Sequence, residues 1–252
     1  MLWLTIILIA LMGLVLGLLG GGGSILATPI LVYVMGLEAH AAISFSLILV
    51  GGTALVGAFL HQEAAPVAWK DGLLFILFGA PTNLLGATFS RYVSATVLLL
   101  LFGLLMAVSG IAMLIKRSEA KANEKPKIWP VVLAGAAVGF LAGFLGVGGG
   151  FMVVPSLVLF LNIPIKSATG TALLIIAGNS ALALYGHRHS LNTNWTQLFE
   201  LLPAALLTTY FGVKLTEKLS AQQLRRIFGV FVILFGVIMV ATNIATLTFK
   251  PK

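Results

Sequence analysis

Cysteine is absent from this chain of 252 residues. Disulfides, thiolate metal sites and cysteine nucleophiles are thereby excluded. Charge is scarce as well: Asp, Glu, Lys and Arg together make up 9% of the residues. None of them falls in the middle of an apolar run, so a proton relay through buried acids is not visible. No His and carboxylate stand at metal-ligand spacing and no catalytic constellation emerges, which argues against an enzyme. What is left is apolar, with 60% hydrophobic residues and a mean hydropathy of +1.10. Several runs approach or exceed the roughly 20 residues that span a bilayer, and none alternates as a barrel strand would. The chain reads as an all-α polytopic membrane protein.

The net charge of +8 points to orientation in a membrane rather than to nucleic acid, because most Lys and Arg lie in short loops between apolar runs. The N-terminus has the apolar core of a signal peptide, with Ile25-Leu26-Ala27 as a loose cleavage site, but it lacks a basic leader. It also has an internal copy, Trp129 to Pro155 matching Trp3 to Pro29, so it is kept as structure.

That copy is part of a longer repeat. A shift of 126 residues aligns the halves without a gap over about a hundred positions. Trp3 meets Trp129, Gly13 meets Gly139, Gly17 meets Gly143, His61 meets His187 and Trp69 meets Trp195. The repeats occupy residues 1–115 and 128–252, and the polar run KRSEAKANEKPK at 116–127 is a solvated linker between them. Each repeat is expected to hold a glycine-broken helical hairpin plus three spanning helices. In the first these are Leu2 to Leu19, a short piece from Ser24 to Met35, then Ala41 to Leu60, Trp69 to Phe89 and Ser94 to Ile115. In the second they are Val131 to Leu145, a short piece from Gly150 to Leu161, then Ser167 to Tyr185, Trp195 to Phe211 and Ala221 to Ala245. The short pieces are about 18 Å long, too short for a roughly 30 Å core, and are half-helices.

Charge placement bears on symmetry. With the basic linker inside, an odd number of crossings per repeat also puts Lys166, Lys214, Lys218, Arg225 and Arg226 inside, against Arg188, Lys250 and Lys252 outside. This favours inverted repeats. It leaves open whether each broken hairpin crosses or dips in and returns.

The candidate site lies at the breaks. Gly20-Gly21-Gly22-Gly23-Ser24 and Gly146-Val147-Gly148-Gly149-Gly150 each interrupt an apolar run at corresponding positions. Consecutive glycines are poor helix formers, and non-helical backbone survives in lipid only inside protein or beside water. Two half-helix N-termini meeting near the midplane would hold an anion on unpaired N–H groups, with no basic side chain. Ser24 suits an N-cap. The alternative is that the glycines only let helices pack closely. Neither knot has the Lys-Ser/Thr of a phosphate loop. Ser44, Ser46, Thr169, Thr171 and Asn179 in the next span of each repeat are candidates for a surrounding polar layer; the serines and threonines could instead bond neighbouring helices or their own backbone, while an intramembrane amide such as Asn179 needs partners. Thr53 is the repeat partner of Asn179. His61 and His187, at span ends, read as interfacial, as do Asp71 and Glu200 at span starts.

The stretches LLGGGGSILATP and FLGVGGGFMVVP, with AAISFSLILVGGTALVGAFLHQ and SATGTALLIIAGNSALALYGHR after them, resemble the signature of the TauE/SafE, sulfite-exporter-like family of membrane permeases. The resemblance covers essentially the whole chain. It implies a multi-pass transporter in the bacterial inner membrane for a small anion, typically sulfur-containing, such as sulfite or a sulfonate. Gly21 against Val147 and Ser24 against Gly150 are departures between the copies, so the two knots need not act alike. A passive anion channel and a non-transporting scaffold are the rival readings. No cofactor is implied, and substrate, direction, a coupling H+ or Na+, and a homo-oligomeric state stay open.

Overall fold

The computed structural model describes residues 2–90, 92–115, 128–145, 150–186 and 195–248. The linker at 116–127 lies outside them. Among the described residues the chain forms ten helices: α1 Leu2–Leu19, α2 Ser24–Pro29, α3 Ala39–Ala64, α4 Trp69–Ser90, α5 Ala95–Ile115, α6 Ile128–Leu145, α7 Gly150–Leu159, α8 Ile165–Gly186, α9 Trp195–Lys218 and α10 Ala221–Thr248. A π-helical segment, Ile30–Val34, extends α2 directly after Pro29, whose ring removes one helical N–H and crowds the preceding turn. Seven helices are long and apolar enough to cross a membrane: α3, α4, α5, α6, α8, α9 and α10. The short apolar pieces are Trp3–Leu19, Ser24–Val34 and Gly150–Leu159.

The half-helices are bounded as their sequence requires. Each ends on one left-handed residue, Gly36 (φ 73°) in the first repeat and Asn162 (φ 52°) in the second, and these positions are 126 apart. Leu37 N–H donates to Leu31 O at 3.1 Å, and Ile163 N–H donates to Leu157 O at 3.0 Å. This six-to-one bond closes a Schellman cap on orphan carbonyls, with Asn standing in for Gly at the αL position. The same cap therefore closes both half-helices, at positions 126 apart.

Outward faces are apolar. Trp3, Leu4, Ile7 and Leu11 on α1 and Leu101, Leu104, Val108 and Ile111 on α5 are exposed, at the three- and four-residue spacing of one helix face. In water such stripes would be adhesive patches; against lipid tails they carry no penalty. Inside are two hydrophobic cores, one around each half-helix. Ala27, Ile30 and Leu31 pack with Ile9, Met12, Phe45, Leu49 and Leu173. Phe151, Val154 and Leu157 pack with Phe75, Phe102, Val131 and Phe228. Residues 150–158 of α7 are all buried, and Phe151 meets Phe102 edge-on at 4.8 Å between ring centres.

Glycine sets how closely the helices approach. A methyl on Gly13 would lie 2.5 Å from Ala205 O, one on Gly17 would strike Thr209 O, and one on Gly212 would strike Leu14 O. The same set recurs 126 residues on: Gly139 against Gly79 O, Gly143 against Asn83 O, and Gly86 against Phe140 O. Thus α1 packs parallel to α9, and α6 packs parallel to α4. The helices that correspond between repeats run antiparallel. Gly51 faces Ser180 while Gly170 faces His61 along α3 and α8, and Gly103 faces Gly236 while Gly110 faces Gly229 along α5 and α10. Backbone-to-backbone approach replaces the hydrophobic drive that helices lack within a bilayer.

Several helices outrun their expected ends, α3 and α9 by the most. α3 continues past Leu60 to Ala64, and α9 continues past Phe211 to Lys218. In each case the extra turn carries a buried polar group, His61 or Thr216, bonded to another helix.

Gly143→Ala drives a methyl into Asn83 O and is expected to cost about 1–3 kcal/mol as overpacking that backbone cannot relieve. Gly52→Ala meets only Leu202 Cδ1, at 3.8 Å, and is expected to fall within about 0.5 kcal/mol of the parent or above it. Thermal unfolding of both variants in detergent tests the contrast.

Candidate functional site

The first knot turns the chain back on itself. Gly20 holds φ at 71°, a value that costs other residues roughly 1–2 kcal/mol, and its N–H donates to Leu16 O at 2.8 Å. A methyl at Gly23 would lie 2.5 Å from Met12 O and 2.7 Å from Leu16 N, so α2 starts by folding back against α1. Gly20, Gly21, Gly22 and Gly23 are all buried. Of the second knot, Gly150 is described and buried; Gly146, Gly148 and Gly149 lie outside the described residues, as do His187 and Arg188.

The N-terminal ends of the two half-helices meet. A methyl on Gly21 would strike Gly150 O, and one on Gly150 would lie 2.5 Å from Ser24 Oγ and 3.2 Å from Gly21 O. Two N-termini, each carrying about half a positive charge, are thus in backbone contact between the repeats. Around them, a methyl on Gly20 would lie 2.5 Å from Thr169 O and one on Gly22 would lie 2.6 Å from the Phe231 ring. In this conformation every described knot glycine has a protein atom where a side chain would begin.

Ser24 is not the N-cap. That position is Gly23, with helical φ and ψ of −65° and −32° and no side-chain cap. The Ser24 hydroxyl donates backward to Gly21 O at 2.7 Å. The turn enters the helix already in helical geometry, whereas a side-chain N-cap needs an extended residue there.

The candidate hydroxyls divide by where their hydrogens go, and of them Thr169 is the one placed against a knot glycine, Gly20. Thr169 donates to Ile165 O at 2.9 Å and Thr171 to Ser167 O at 2.8 Å, while Thr171 Oγ1 accepts the Ala68 N–H at 2.9 Å. Ser46 donates to Ile43 O at 2.9 Å and accepts from Thr28 Oγ1 at 3.1 Å. Thr53 donates to Leu49 O at 2.7 Å. A hydroxyl has one hydrogen, and these are spent on their own helices. Ser44 differs: it is buried and its Oγ has no hydrogen-bond partner among the described residues. Asn179 is half-buried.

His61 departs from its expected interfacial place. It is fully buried, and its Nε2 lies 3.0 Å from Gly17 O. Close glycine packing draws the end of α3 inward against α1 and α8, which residue type alone does not disclose. Two threonines missed by sequence reasoning do related work. Thr209 donates to Gly13 O at 3.0 Å, and the one hydroxyl hydrogen of Thr216 is shared between Leu18 O at 3.2 Å and its own helix's Gly212 O at 3.1 Å. Thr209, Gly212 and Thr216 share one face of α9 at helical spacing, the signal that could have found them. Asp71 lies in the first turn of α4 and Glu200 is exposed near the start of α9, as expected.

Comparison with known proteins agrees with this architecture. The sequence model of the family described as sulfite exporter TauE/SafE matches residues 5–239. A probable membrane transporter protein of Xylella fastidiosa (strain Temecula1) is 35% identical over 246 residues, covering 94% of each chain. The probable membrane transporter protein YunE of Bacillus subtilis is 24% identical over 263 residues, covering 92% of this chain and 96% of its own. A probable membrane transporter protein of Haemophilus influenzae is 25% identical, covering 91% and 94%. No solved structure matches.

The knot glycines should rank by what stands in the way. Gly20→Ala and Gly21→Ala meet backbone and are expected to lower stability by about 1–3 kcal/mol, with the left-handed φ adding to the first. Gly22→Ala meets the edge of a movable ring and is expected to cost less. Unfolding midpoints of the three purified variants give the order.

Proposed function

Because the chain belongs to the sulfite exporter TauE/SafE family, we propose that it is a secondary transporter for a small, sulfur-containing anion, acting by alternating access in the bacterial inner membrane. It is a multi-pass membrane protein by its seven candidate spans. Transport, and not catalysis, is its activity under this reading.

One observation carries the proposal: the N-termini of α2 and α7 converge at Gly21 and Gly150 between the two repeats. Helix N-termini favour anions because their first N–H groups lack helical partners and the aligned dipoles leave positive charge there. Two of them facing each other at the repeat interface is the arrangement that discontinuous helices use in carriers. The knot glycines would admit the ligand to the backbone once the helices part. Gly20, Gly21, Gly22, Gly23 and Ser24 would serve from one side, and Gly146, Gly148, Gly149 and Gly150 from the other. Of the candidate polar residues, Ser44 has a hydroxyl hydrogen free to serve a sulfonate or sulfite oxygen, and Asn179 would offer an amide. Ser46, Thr169 and Thr171, with their hydrogens spent, would position helices.

Alternating access follows from the same contacts. The antiparallel run of α3 against α8 and of α5 against α10 supports an inverted relation between the repeats, and rocking one against the other would expose the knots to each side in turn. The tight closure of Gly21 on Gly150 suits a state with no ligand path open.

Counterflow in proteoliposomes tests this reading. Preloaded unlabelled sulfite, thiosulfate, sulfoacetate or taurine is expected to drive transient uptake of its labelled form, which a passive channel cannot do. Ser44→Ala is expected to raise the KM for that anion about ten- to a hundredfold, the worth of a hydrogen bond to a charged group at about 1.5–3 kcal/mol. Absence of counterflow for every anion would overturn the transporter reading.

A further inference from the structure

α1 ends where the first knot begins, and its last carbonyls have no helical N–H to accept from. Leu16 O takes the Gly20 N–H at 2.8 Å. Leu18 O shares the Thr216 hydroxyl of α9, at 3.2 Å, with Gly212 O at 3.1 Å. Gly17 O takes Nε2 of His61 from α3 at 3.0 Å. The imidazole is fully buried and backed by α8, where a methyl on Gly170 would lie 2.9 Å from its Cβ. Three helices therefore meet at this ring, three residues before the left-handed turn at Gly20.

A carbonyl only accepts, so Nε2 carries the hydrogen. Nδ1 is buried with no hydrogen-bond partner among the described residues. A proton there would create a second N–H with nothing to donate to, and a cation without hydration. The packing seen here therefore belongs to the neutral ring.

The charged groups of the surrounding elements do not supply an acceptor. α1 contains none. Lys166 on α8, Lys214, Glu217 and Lys218 on α9, Glu63 on α3, and Lys70 and Asp71 on α4 face the same end, while Glu200 lies near the opposite end of α9. Lys214 Nζ is 3.0 Å from Glu217 Oε1 and 3.6 Å from Glu63 Oε2, and Lys166 Nζ donates to Glu217 O at 3.1 Å.

We propose that His61 is a proton-binding site that latches the first knot. One proton from solvent adds to the lone pair of Nδ1. The protonated ring favours a conformation in which Nδ1–H reaches water or a bound anion, and reaching either requires α3 to leave Gly17 O and the end of α1. Protonation thereby frees the hinge that the transport cycle must open. The proposal rests on the transporter reading for its purpose and on the buried ring for its chemistry.

The lack of cysteine allows a direct test. Ser24→Cys places one thiol at the knot, and Tyr92→Cys, at a highly exposed position, gives a reference for the thiol's own pH dependence. Maleimide labelling in nanodiscs, knot over reference, is measured from about pH 8 to about pH 5.5, across the ordinary histidine range. The expected result is a severalfold rise with His61 present and none in His61→Gln, whose amide still donates to Gly17 O but does not titrate. His61→Met fills the site without titrating and serves if the Gln variant does not fold. A flat profile with His61, or the same rise in either variant, overturns the latch. Anion counterflow by the parent is scored separately. Counterflow with a flat profile sinks the latch and spares the transporter; a His61-dependent rise without counterflow sinks the transporter and spares the latch.

Discussion

Backbone that leaves the helix inside hydrocarbon must find its hydrogen bonds in protein, at a cost of several kcal/mol for each group left unpaired. The rest of this structure follows from meeting that demand at a four-glycine break. The last carbonyls of α1 are taken up by Gly20, His61 and Thr216, drawn from the knot itself and from two other helices. The far ends of both half-helices close on themselves through Schellman caps at Gly36 and Asn162. A break that would be ruinous on an isolated span is tolerated here because it sits between two cores built around the half-helices.

Close approach of backbones does the assembling. Lipid tails are as apolar as leucine, so burial gives no drive between helices, and contact must come from packing and hydrogen bonds. Gly13, Gly17 and Gly212 bring α1 onto α9, and Gly139, Gly143 and Gly86 bring α6 onto α4. Since each repeat donates its first helix to the other's fourth, neither can settle without its partner. The interface between them is also where the N-terminal ends of α2 and α7 meet, at Gly21 and Gly150.

Much of this was legible in the sequence. The repeat, the breaks and the short helices follow from residues spaced 126 apart and from runs of glycine no helix prefers. The ends at Met35 and Leu161 are close to the observed ones because Gly36 and Asn162 are stop signals of known geometry. What could not be read was depth. His61 ends an apolar run and looks interfacial, yet it is buried, because depth depends on how closely α3, α1 and α8 approach and on where Gly17 leaves an open carbonyl. Ser24 looks like an N-cap, yet its hydroxyl turns back to Gly21 O, because Gly23 enters the helix in helical geometry. The hydroxyls offered equal candidacy by type, and only their hydrogen bonds separate Ser44 from Ser46, Thr169 and Thr171.

Under the proposed function, the facing N-termini of α2 and α7 would form the anion site. Selenite reproduces the shape and charge of sulfite and scatters anomalously, so crystals grown with it locate the ion directly. The account predicts an anomalous selenium peak between the two knots, about 3 Å from backbone nitrogens of the first turns of α2 and α7, with Gly21 and Gly150 moved apart to admit it. A selenium peak elsewhere between the helices, with the knots still closed on each other, would contradict it.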